Sequence, residues 1–190
     1  MSHKNAIIKE TPAVNGVNVG QVMEVIDSIQ GDSANAQFQF RLDNEWIDAG
    51  LNRSRMQDFY ANGREDDTRT EPFVLDADEP RVAAGQDSAP APVEYVLHAM
   101  ASCLTSTMVY HAAVQGIEIE SVQSHLEGDM DVRGFFGLSE NVRKGFNKVR
   151  VRMEVRSPAS AETLKQLALH SPVYDMISPS LPVEVDLVKV

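Results

Sequence analysis

Residues 92–116 read PVEYVLHAMASCLTSTMVYHAAVQG, and this stretch predicts a helix from Pro92 to Gln115. Proline suits the first turn of a helix because its missing N–H would have no partner there, and Gly116 is a typical C-terminal stop. Large apolar residues are distributed around the whole predicted helix, with Ala, Ser, Thr and Cys between them: Val93, Val96, Leu97, Met100, Leu104, Met108, Val109 and Val114. Such a helix requires cover on several sides, so we place it at the centre of the fold and expect a homodimer.

The residues before this helix predict mostly strands. The apolar positions between Val17 and Gly31 have the spacing of a short amphipathic helix. Residues 38–42 alternate between apolar and polar side chains, as in a half-buried strand, and Asn44 supplies a turn. We then expect, in chain order, a second strand, a polar surface loop and a third strand at residues 51–56, 60–71 and 73–75.

Strands also dominate the sequence after the helix. Residues 117–127 alternate in part and residues 148–156 alternate strictly between apolar and polar side chains, so both are predicted strands. Ser157, followed by proline, is a suitable N-cap for a second helix that ends near His170, and residues 183–188 form a terminal strand. Strands that are grouped, instead of alternating one for one with helices, favour an α+β fold.

The length and composition limit the classes of protein that the chain can represent. With 190 residues and 43% hydrophobic content we expect one domain, residues 1–190, in which residues 1–16 form a loose N-terminal tail. The net charge of −11 argues against a nucleic-acid partner, because such surfaces need clustered Lys and Arg. One cysteine allows no internal disulfide, and neither a signal peptide nor a long apolar run occurs, so we expect a cytoplasmic protein without a membrane partner.

The histidines and serines form no recognisable metal or hydrolase motif. His98 and His111 lie about 20 Å apart along the axis of the predicted helix, and no HxxxH or CxxC spacing occurs. Ser102 and Ser106 flank the cysteine without a G-x-S-x-G elbow. We therefore predict neither a metal ion nor a cofactor.

The single cysteine, Cys103, is the candidate reactive group. A reactive cysteine needs a helix N-terminus or a nearby cation to stabilise its thiolate. Cys103 lies eleven residues after Pro92, beyond the reach of the helix dipole, and the predicted helix contains no Lys or Arg. A cation would have to come from elsewhere in the protein. Without one, Cys103 is an inert, small core residue.

Three segments carry a family resemblance: PVEYVLHAMASCLTSTMVYHAAVQGI from Pro92, EGDMDVRGFFGL from Glu127, and HSPVYDMISPSLPVEV from His170. Their most specific element is a proline, an acidic residue soon after it, and a cysteine eleven residues after the proline. Over roughly residues 73–190 the chain resembles the OsmC/Ohr superfamily, in particular its less characterised OsmC-like branches. The resemblance implies an OsmC-like fold, with antiparallel sheets wrapped around two central helices in an intertwined dimer.

The well-studied members of this superfamily are thiol-dependent peroxidases, and the resemblance implies their reaction here. A cysteine thiolate, held by an arginine that a glutamate positions, attacks an organic hydroperoxide and becomes a sulfenic acid, which a second cysteine resolves. Cys103 matches the first cysteine, whereas Ser171 stands where the second would be, so the reductant would be an external thiol. The family's arginine lies on an N-terminal strand, where Arg55 is the candidate. Its rivals are Arg53, Arg64 and Arg81.

The carboxylate that the resemblance implies is Glu94, one position later than in the peroxidases, because Val93 directly follows the proline. At 100° per residue, Val93 lies about 80° from Cys103 around the helix and Glu94 about 180° away. Glu94 therefore has two other interpretations. It caps the helix N-terminus, or it faces the partner subunit.

Three functions remain open on these residues. The first is a cysteine-based peroxidase that reduces small apolar hydroperoxides in an oxidative stress response. The second is a non-catalytic OsmC-like dimer whose pocket binds a small apolar or acyl ligand. The third is a purely structural dimer in which Cys103 only fills space.

Overall fold

The computed structural model describes residues 13–190, in which helices and strands are mixed. Its first half contains β1 (Ala13–Val14), β2 (Val17–Asn18), α1 (Val19–Gly31), β3 (Gln39–Phe40), β4 (Asp43–Asp48), β5 (Leu51–Met56), β6 (Phe59–Ala61), β7 (Arg64–Asp66) and β8 (Phe73–Ala77). Its second half contains α2 (Pro92–Val114), β9 (Ser121–Met130), α3 (Val132–Phe135), β10 (Phe146–Arg156), α4 (Ala161–Ala168), α5 (Pro172–Ile177) and β11 (Val183–Lys189). The predicted α+β class is confirmed. None of the helices among residues 13–190 combines the length and apolarity needed to cross a bilayer.

The predicted central helix is α2, which begins at Pro92 and is followed by Gly116 in the left-handed conformation, with φ of 69°. Met100, Leu104 and Met108 are fully buried. Because they recur every four positions, they lie on one side of the helix, and this side packs against β9, β10, α4 and α5. The prediction that α2 lies at the centre of the fold is therefore confirmed for this face.

A three-stranded sheet in the order β11-β10-β9 lies under α2. The strict alternation of β10 is observed, since Val149, Val151, Met153 and Val155 are buried. β9 pairs antiparallel with β10, whereas β11 pairs parallel with it. Adjacent parallel strands cannot be joined by a tight turn and need a crossover connection. Helices α4 and α5 form this connection between β10 and β11.

The second predicted helix begins later than expected. Ser157 is buried and donates its hydroxyl to the carbonyl of Glu118, so it does not cap the helix. Ser160 is the N-cap instead and accepts from the N–H of Thr163. The prediction of Ser157 as the N-cap was wrong. By residue type either of the two serines can cap a helix, and Ser157 is excluded only because its side chain is buried and bound elsewhere.

Residues 39–77, which we call the β arm, form two three-stranded antiparallel sheets in the orders β3-β6-β7 and β4-β5-β8. Ala61 is the only buried residue of the arm. Phe40, Trp46 and Phe73 expose 72%, 70% and 61% of their surface. The arm therefore holds large apolar side chains that the described chain leaves without cover.

Two predictions within the β arm were wrong. The predicted turn at Asn44 lies inside β4, and the chain turns at Ala49 and Gly50 instead. The predicted loop at residues 60–71 contains the β6–β7 hairpin, whose turn is formed by Asn62 and Gly63 with φ of 50° and 76°. Asn-Gly is a strong hairpin signal because both residues adopt positive φ readily.

Part of the predicted N-terminal tail, residues 1–12, lies outside the described residues, and the rest of it is regular structure. Residues 13–16 belong to the β1–β2 hairpin rather than to a loose tail. The side chain of Asn15 donates to the carbonyl of Ile117 over 2.9 Å and accepts from the N–H of Ile119 over 2.8 Å. It thus ties the hairpin to the segment that follows α2. The predicted short helix before residue 31 is observed as α1.

A buried carboxylate fixes the loop that enters α2. Asp78 accepts hydrogen bonds from the N–H of Glu79 and from the N–H and hydroxyl of Ser88. These donors, with the N–H of Ser88 first, lower the pKa of Asp78 below its usual value. Gly85 passes so close to Glu79 that a Cβ would lie 1.8 Å from its carbonyl oxygen. The loop therefore has one well-defined path into the helix.

Candidate functional site

Cys103 lies half-buried near the middle of α2. Val96, Tyr110 and Val114 share its side of the helix, because separations of seven and eleven residues differ by only about 20° in direction. These three side chains expose 39%, 53% and 39% of their surface. We call the four residues the Cys103 stripe. An accessible apolar stripe around a thiol is suited to contact a small apolar molecule or a second protein surface.

The sulfur of Cys103 forms one side-chain hydrogen bond among residues 13–190. Its Sγ lies 3.9 Å from Oγ1 of Thr107, one turn later on α2. No Lys, Arg or His side chain in this part of the chain forms a hydrogen bond with it. As the sequence predicts, α2 itself supplies no Lys or Arg. Any cation that stabilises the thiolate must therefore reach it from another element or another subunit.

Arg55, the predicted partner of Cys103, lies on β5 in the β arm, where its register partners are Asp43 and Val74. It is exposed and lines a cleft of about 280 Å³ with Arg41 and Asp58. Cys103 does not line this cleft, and its one side-chain hydrogen bond among the described residues is to Thr107 and not to Arg55. The structure of one chain does not bring Arg55 and Cys103 together.

None of the rival arginines forms a hydrogen bond with the thiol in the described part of the chain. Arg53 binds Asp76 through two hydrogen bonds of 2.7 Å, and this bond is the main cause that lowers the pKa of Asp76. Arg64 lies in the β6–β7 hairpin, and Arg81 follows Pro80 in a short 3₁₀ helix. Among these candidates, Arg53 forms an ion pair with Asp76, whereas Arg55 forms no ion pair with the described residues.

Glu94 acts as a helix cap. It occupies the third position of α2, and its Oε2 accepts a 2.7 Å hydrogen bond from the N–H of Ala91. It also lines a cleft of about 650 Å³ with Tyr95 and His98, on the side of the helix away from Cys103. The geometry therefore matches the capping interpretation, in which the carboxylate satisfies a free N–H at the helix start.

Ser171 is fully buried at the start of α5, where its hydroxyl accepts from the N–H of Tyr174 over 3.2 Å. The residue before it, His170, stacks on His111 of α2 with ring centroids 4.7 Å apart. Burial, and secondarily the charge of His170, lower the pKa of His111. The sequence could not reveal this pair, because the two histidines lie 59 residues apart and each matches no motif.

A second open surface lies beside the Cys103 stripe on α2. Here Ala101, Ser102, Thr105, Ser106 and Val109 form the floor of a groove of about 810 Å³. The β1–β2 hairpin and the start of α1 form its wall, through residues such as Asn18 and Gln21. Small side chains on a helix allow another helix or sheet to approach closely, so this groove continues the uncovered face of α2.

The β arm contains an apolar cleft that the sequence did not predict. Phe40, Met56, Phe59 and Phe73 line a space of about 400 Å³. The guanidinium of Arg69 lies 4.7 Å from the ring of Phe59 and 5.1 Å from that of Phe73. The cleft thus combines aromatic walls with one cation held against their faces.

Comparison with known proteins bears on the fold. The family model described as OsmC-like protein matches residues 85–186. Among solved structures, an OsmC-like protein from Mycoplasma pneumoniae is similar at 16% identity, with a TM-score of 0.59, covering 80% of this chain and 97% of its own. No curated protein matches the chain.

Two further structures have the same architecture. An organic hydroperoxide resistance protein OsmC from Legionella pneumophila has 19% identity and a TM-score of 0.52, and 78% of this chain and 96% of that one are covered. An OsmC-like protein of unknown function from Vibrio cholerae has 14% identity and a TM-score of 0.54, and 79% and 99% are covered. At such identities the likeness shows the fold alone. The predicted OsmC-like fold of the chain is confirmed, and the intertwined dimer stays a prediction.

Proposed function

The chain belongs to the OsmC-like protein family, and from that premise we propose that it is a homodimeric thiol peroxidase that reduces small apolar hydroperoxides through Cys103. The observation that carries this proposal is the place of Cys103, half-buried in an open apolar stripe of α2. An organic hydroperoxide would bury its hydrocarbon part against this stripe and present its O–O bond to the sulfur. Hydrogen peroxide has no such part and would be the poorer substrate.

The proposed reaction uses one cysteine and an external thiol. The thiolate of Cys103 attacks the distal peroxide oxygen, so that an S–O bond forms, the O–O bond breaks and the alcohol leaves with a proton. A first external thiol condenses with the sulfenic acid and releases water. A second one attacks the mixed disulfide, so that the two external thiols leave as a disulfide and Cys103 is released as a thiolate. Ser171 takes no part, because a hydroxyl group cannot form a disulfide.

We place the site between two copies of the chain. The Cys103 stripe, the groove beside it and the β arm all expose apolar side chains, and monomeric proteins rarely leave such surfaces open. A second copy would cover them and close an apolar pocket around the thiol. The cation that α2 lacks would then be Arg55 of the partner subunit, since Arg53 is already bound to Asp76.

Trapping of the oxidised cysteine tests the peroxidase. The reduced protein is treated with cumene hydroperoxide and with hydrogen peroxide in the presence of dimedone, and the adduct on Cys103 is measured by mass spectrometry. We expect a stoichiometric adduct, formed faster with cumene hydroperoxide, and none in Cys103→Ser. A native protein whose Cys103 stays unmodified would contradict the proposal.

The arginine and the dimer have separate tests. Arg55→Ala should slow formation of the adduct by about a hundredfold to a thousandfold, as removal of one electrostatic contact to a reacting group does. Arg64→Ala on the same arm is the matched control and should leave the rate unchanged. Light scattering should give twice the chain mass of 20.9 kDa. A monomer of full activity would refute the shared site.

A second candidate, binding without chemistry, is favoured by the apolar cleft of the β arm. Its aromatic walls and the guanidinium of Arg69 suit a small acyl chain that carries a carboxylate. Native mass spectrometry of the purified dimer tests it. A copurified acyl ligand that is lost in Arg69→Ala would support it, and a ligand-free protein that binds no decanoate would argue against it.

A further inference from the structure

The side-chain hydroxyls of α2 differ in what they bind. The hydroxyl of Ser102 donates to the carbonyl of His98 over 2.9 Å, and that of Ser106 donates to the carbonyl of Cys103 over 3.3 Å. These are the usual bonds of Ser and Thr inside a helix, back to a carbonyl three or four residues earlier. Thr105 and Thr107 form no such bond among the described residues, and of these two only Thr107 has its Oγ1 in contact with the sulfur of Cys103, at 3.9 Å.

The reason lies in the carbonyl of Cys103. This oxygen is the usual acceptor for the hydroxyl of Thr107, four residues later. It already accepts the N–H of Thr107 within the helix and the hydroxyl of Ser106, so both of its lone pairs are used. The hydroxyl of Thr107 is thereby left for the sulfur, which it approaches from the next helical turn.

We propose that Thr107 is a positioning residue, which donates its hydroxyl hydrogen to the thiolate of Cys103 and holds the sulfur toward the open stripe. The inference rests on the proposed peroxidase, since a thiolate is what the reaction requires. A thiol and a hydroxyl can donate in either direction, but a thiolate only accepts, so ionisation fixes Thr107 as the donor. A hydrogen bond to the charged form favours that form, and this bond partly replaces the cation that α2 lacks.

The pH dependence of alkylation tests this role. The rate at which iodoacetamide modifies Cys103 is followed from pH 5 to pH 10 in the full-length protein, for the wild type, Thr107→Val and Thr107→Ser. Valine keeps the shape of threonine and removes only the hydroxyl. We expect the midpoint pH to rise by about one unit in Thr107→Val, which makes alkylation at neutral pH about tenfold slower. Thr107→Ser should restore the wild-type midpoint.

Thr163→Val is the control, because Thr163 also lies on a helix, α4, but its hydroxyl contacts that of Ser160 and not the sulfur. Its midpoint should equal that of the wild type. Should Thr107→Val fail to fold, Thr107→Ala replaces it with the same expectation. An unchanged midpoint without the hydroxyl would overturn the inference, as would an equal rise in Thr107→Ser, since that would show packing to be the cause.

The outcome is separable from that of the proposed function. Alkylation needs no peroxide, so it decides the role of Thr107 even if Cys103 never reacts with a hydroperoxide. If instead the dimedone adduct forms and the alkylation midpoint does not depend on the hydroxyl, the peroxidase stands and the inference about Thr107 fails.

Discussion

The sheet under α2 and the β arm are built alike but covered differently. Both consist of three-stranded sheets that carry large apolar side chains. In β10 the apolar residues, such as Val151 and Met153, are buried beneath the helices. In the arm, Phe40, Trp46 and Phe73 stay exposed. Among residues 13–190 the helices cover the sheet that contains β10, and the large apolar side chains of the arm have no such cover. The two regions should therefore respond differently to mutation.

The largest expected effect is in the covered region. Leu104→Ala removes a fully buried side chain between α2 and the sheet, and it should lower the free energy of unfolding by about 2–5 kcal/mol through lost burial and the cavity left behind. Urea denaturation followed by circular dichroism measures the change. Val82→Ala, where valine is 96% exposed, is the control and should change stability by less than about 0.5 kcal/mol.

The next effect tests the cover of the arm. Phe40 is 72% exposed in one chain, so Phe40→Ala should cost almost nothing if the arm stays in solvent. If a second copy buries the ring, we expect a loss of about 1–3 kcal/mol, the scale of burying a Phe side chain. The unfolding midpoint should also fall on dilution, because a dimer dissociates as its concentration drops.

Leu138→Ala is the matched control for Phe40→Ala. Leu138 is 73% exposed and lies outside the arm, in the loop after α3. A loss of stability in Phe40→Ala that clearly exceeds the loss in Leu138→Ala supports a covered arm. Equal, small losses that do not depend on concentration would show that the arm has no partner.

The sequence predicts the covered region better than the arm. Proline at the start and Gly116 at the end mark α2 through local backbone chemistry, and the alternation of β10 follows from burial on one face only. In the arm, the pattern of apolar and polar residues is less informative, because a single chain buries neither face of the two sheets well. The turn placed at Asn44 was wrong for this reason, and the Asn62–Gly63 turn was overlooked inside a polar segment.

The candidate site likewise has some features that the sequence predicts and others that it does not. That Cys103 lies on α2 without a local cation follows from spacing and composition, and the position of Thr107 follows from the helical repeat. Which hydroxyl faces the sulfur depends on the competition for the carbonyl of Cys103, and this appears only with coordinates. The proposed approach of Arg55 to Cys103 involves a second copy of the chain, and the spacing of residues within one sequence does not specify which arginine that copy would supply.

A smaller effect concerns a turn of the arm. Ala49 adopts a left-handed conformation with φ of 47°, which costs a residue with a Cβ about 1 kcal/mol relative to glycine. Ala49→Gly should therefore raise the unfolding free energy by roughly 0.5–1 kcal/mol, measured by urea denaturation. Asn62→Ala replaces a residue that tolerates positive φ with alanine, at a turn with φ of 50°. It should lower the unfolding free energy by a similar amount. Changes of the same sign in both variants would contradict this explanation.

The smallest effect compares one ion pair from each region. Hydrogen bonds from Arg150 lower the pKa of Asp129 on the outer face of the covered sheet, and those from Arg53 lower the pKa of Asp76 in the arm. A lowered folded-state pKa adds stability that is complete above the unfolded pKa, about 4, and is lost as the pH falls through the folded value. Asp129→Asn and Asp76→Asn should each lower the melting temperature at pH 6, and the difference from the wild type should shrink toward pH 2.

The decreases in melting temperature of the two variants, compared with each other, test whether the arm is covered. In one chain, both pairs are partly exposed, with side-chain exposures of 37% and 55% for Arg150 and Asp129 and of 39% and 33% for Arg53 and Asp76. Solvent screens such pairs to a similar, small extent. If a second copy covers the arm, it removes this screening from Asp76 alone, so Asp76→Asn should lower the melting temperature more, and added salt should reduce that loss less. Equal losses with equal salt dependence would place both pairs in solvent.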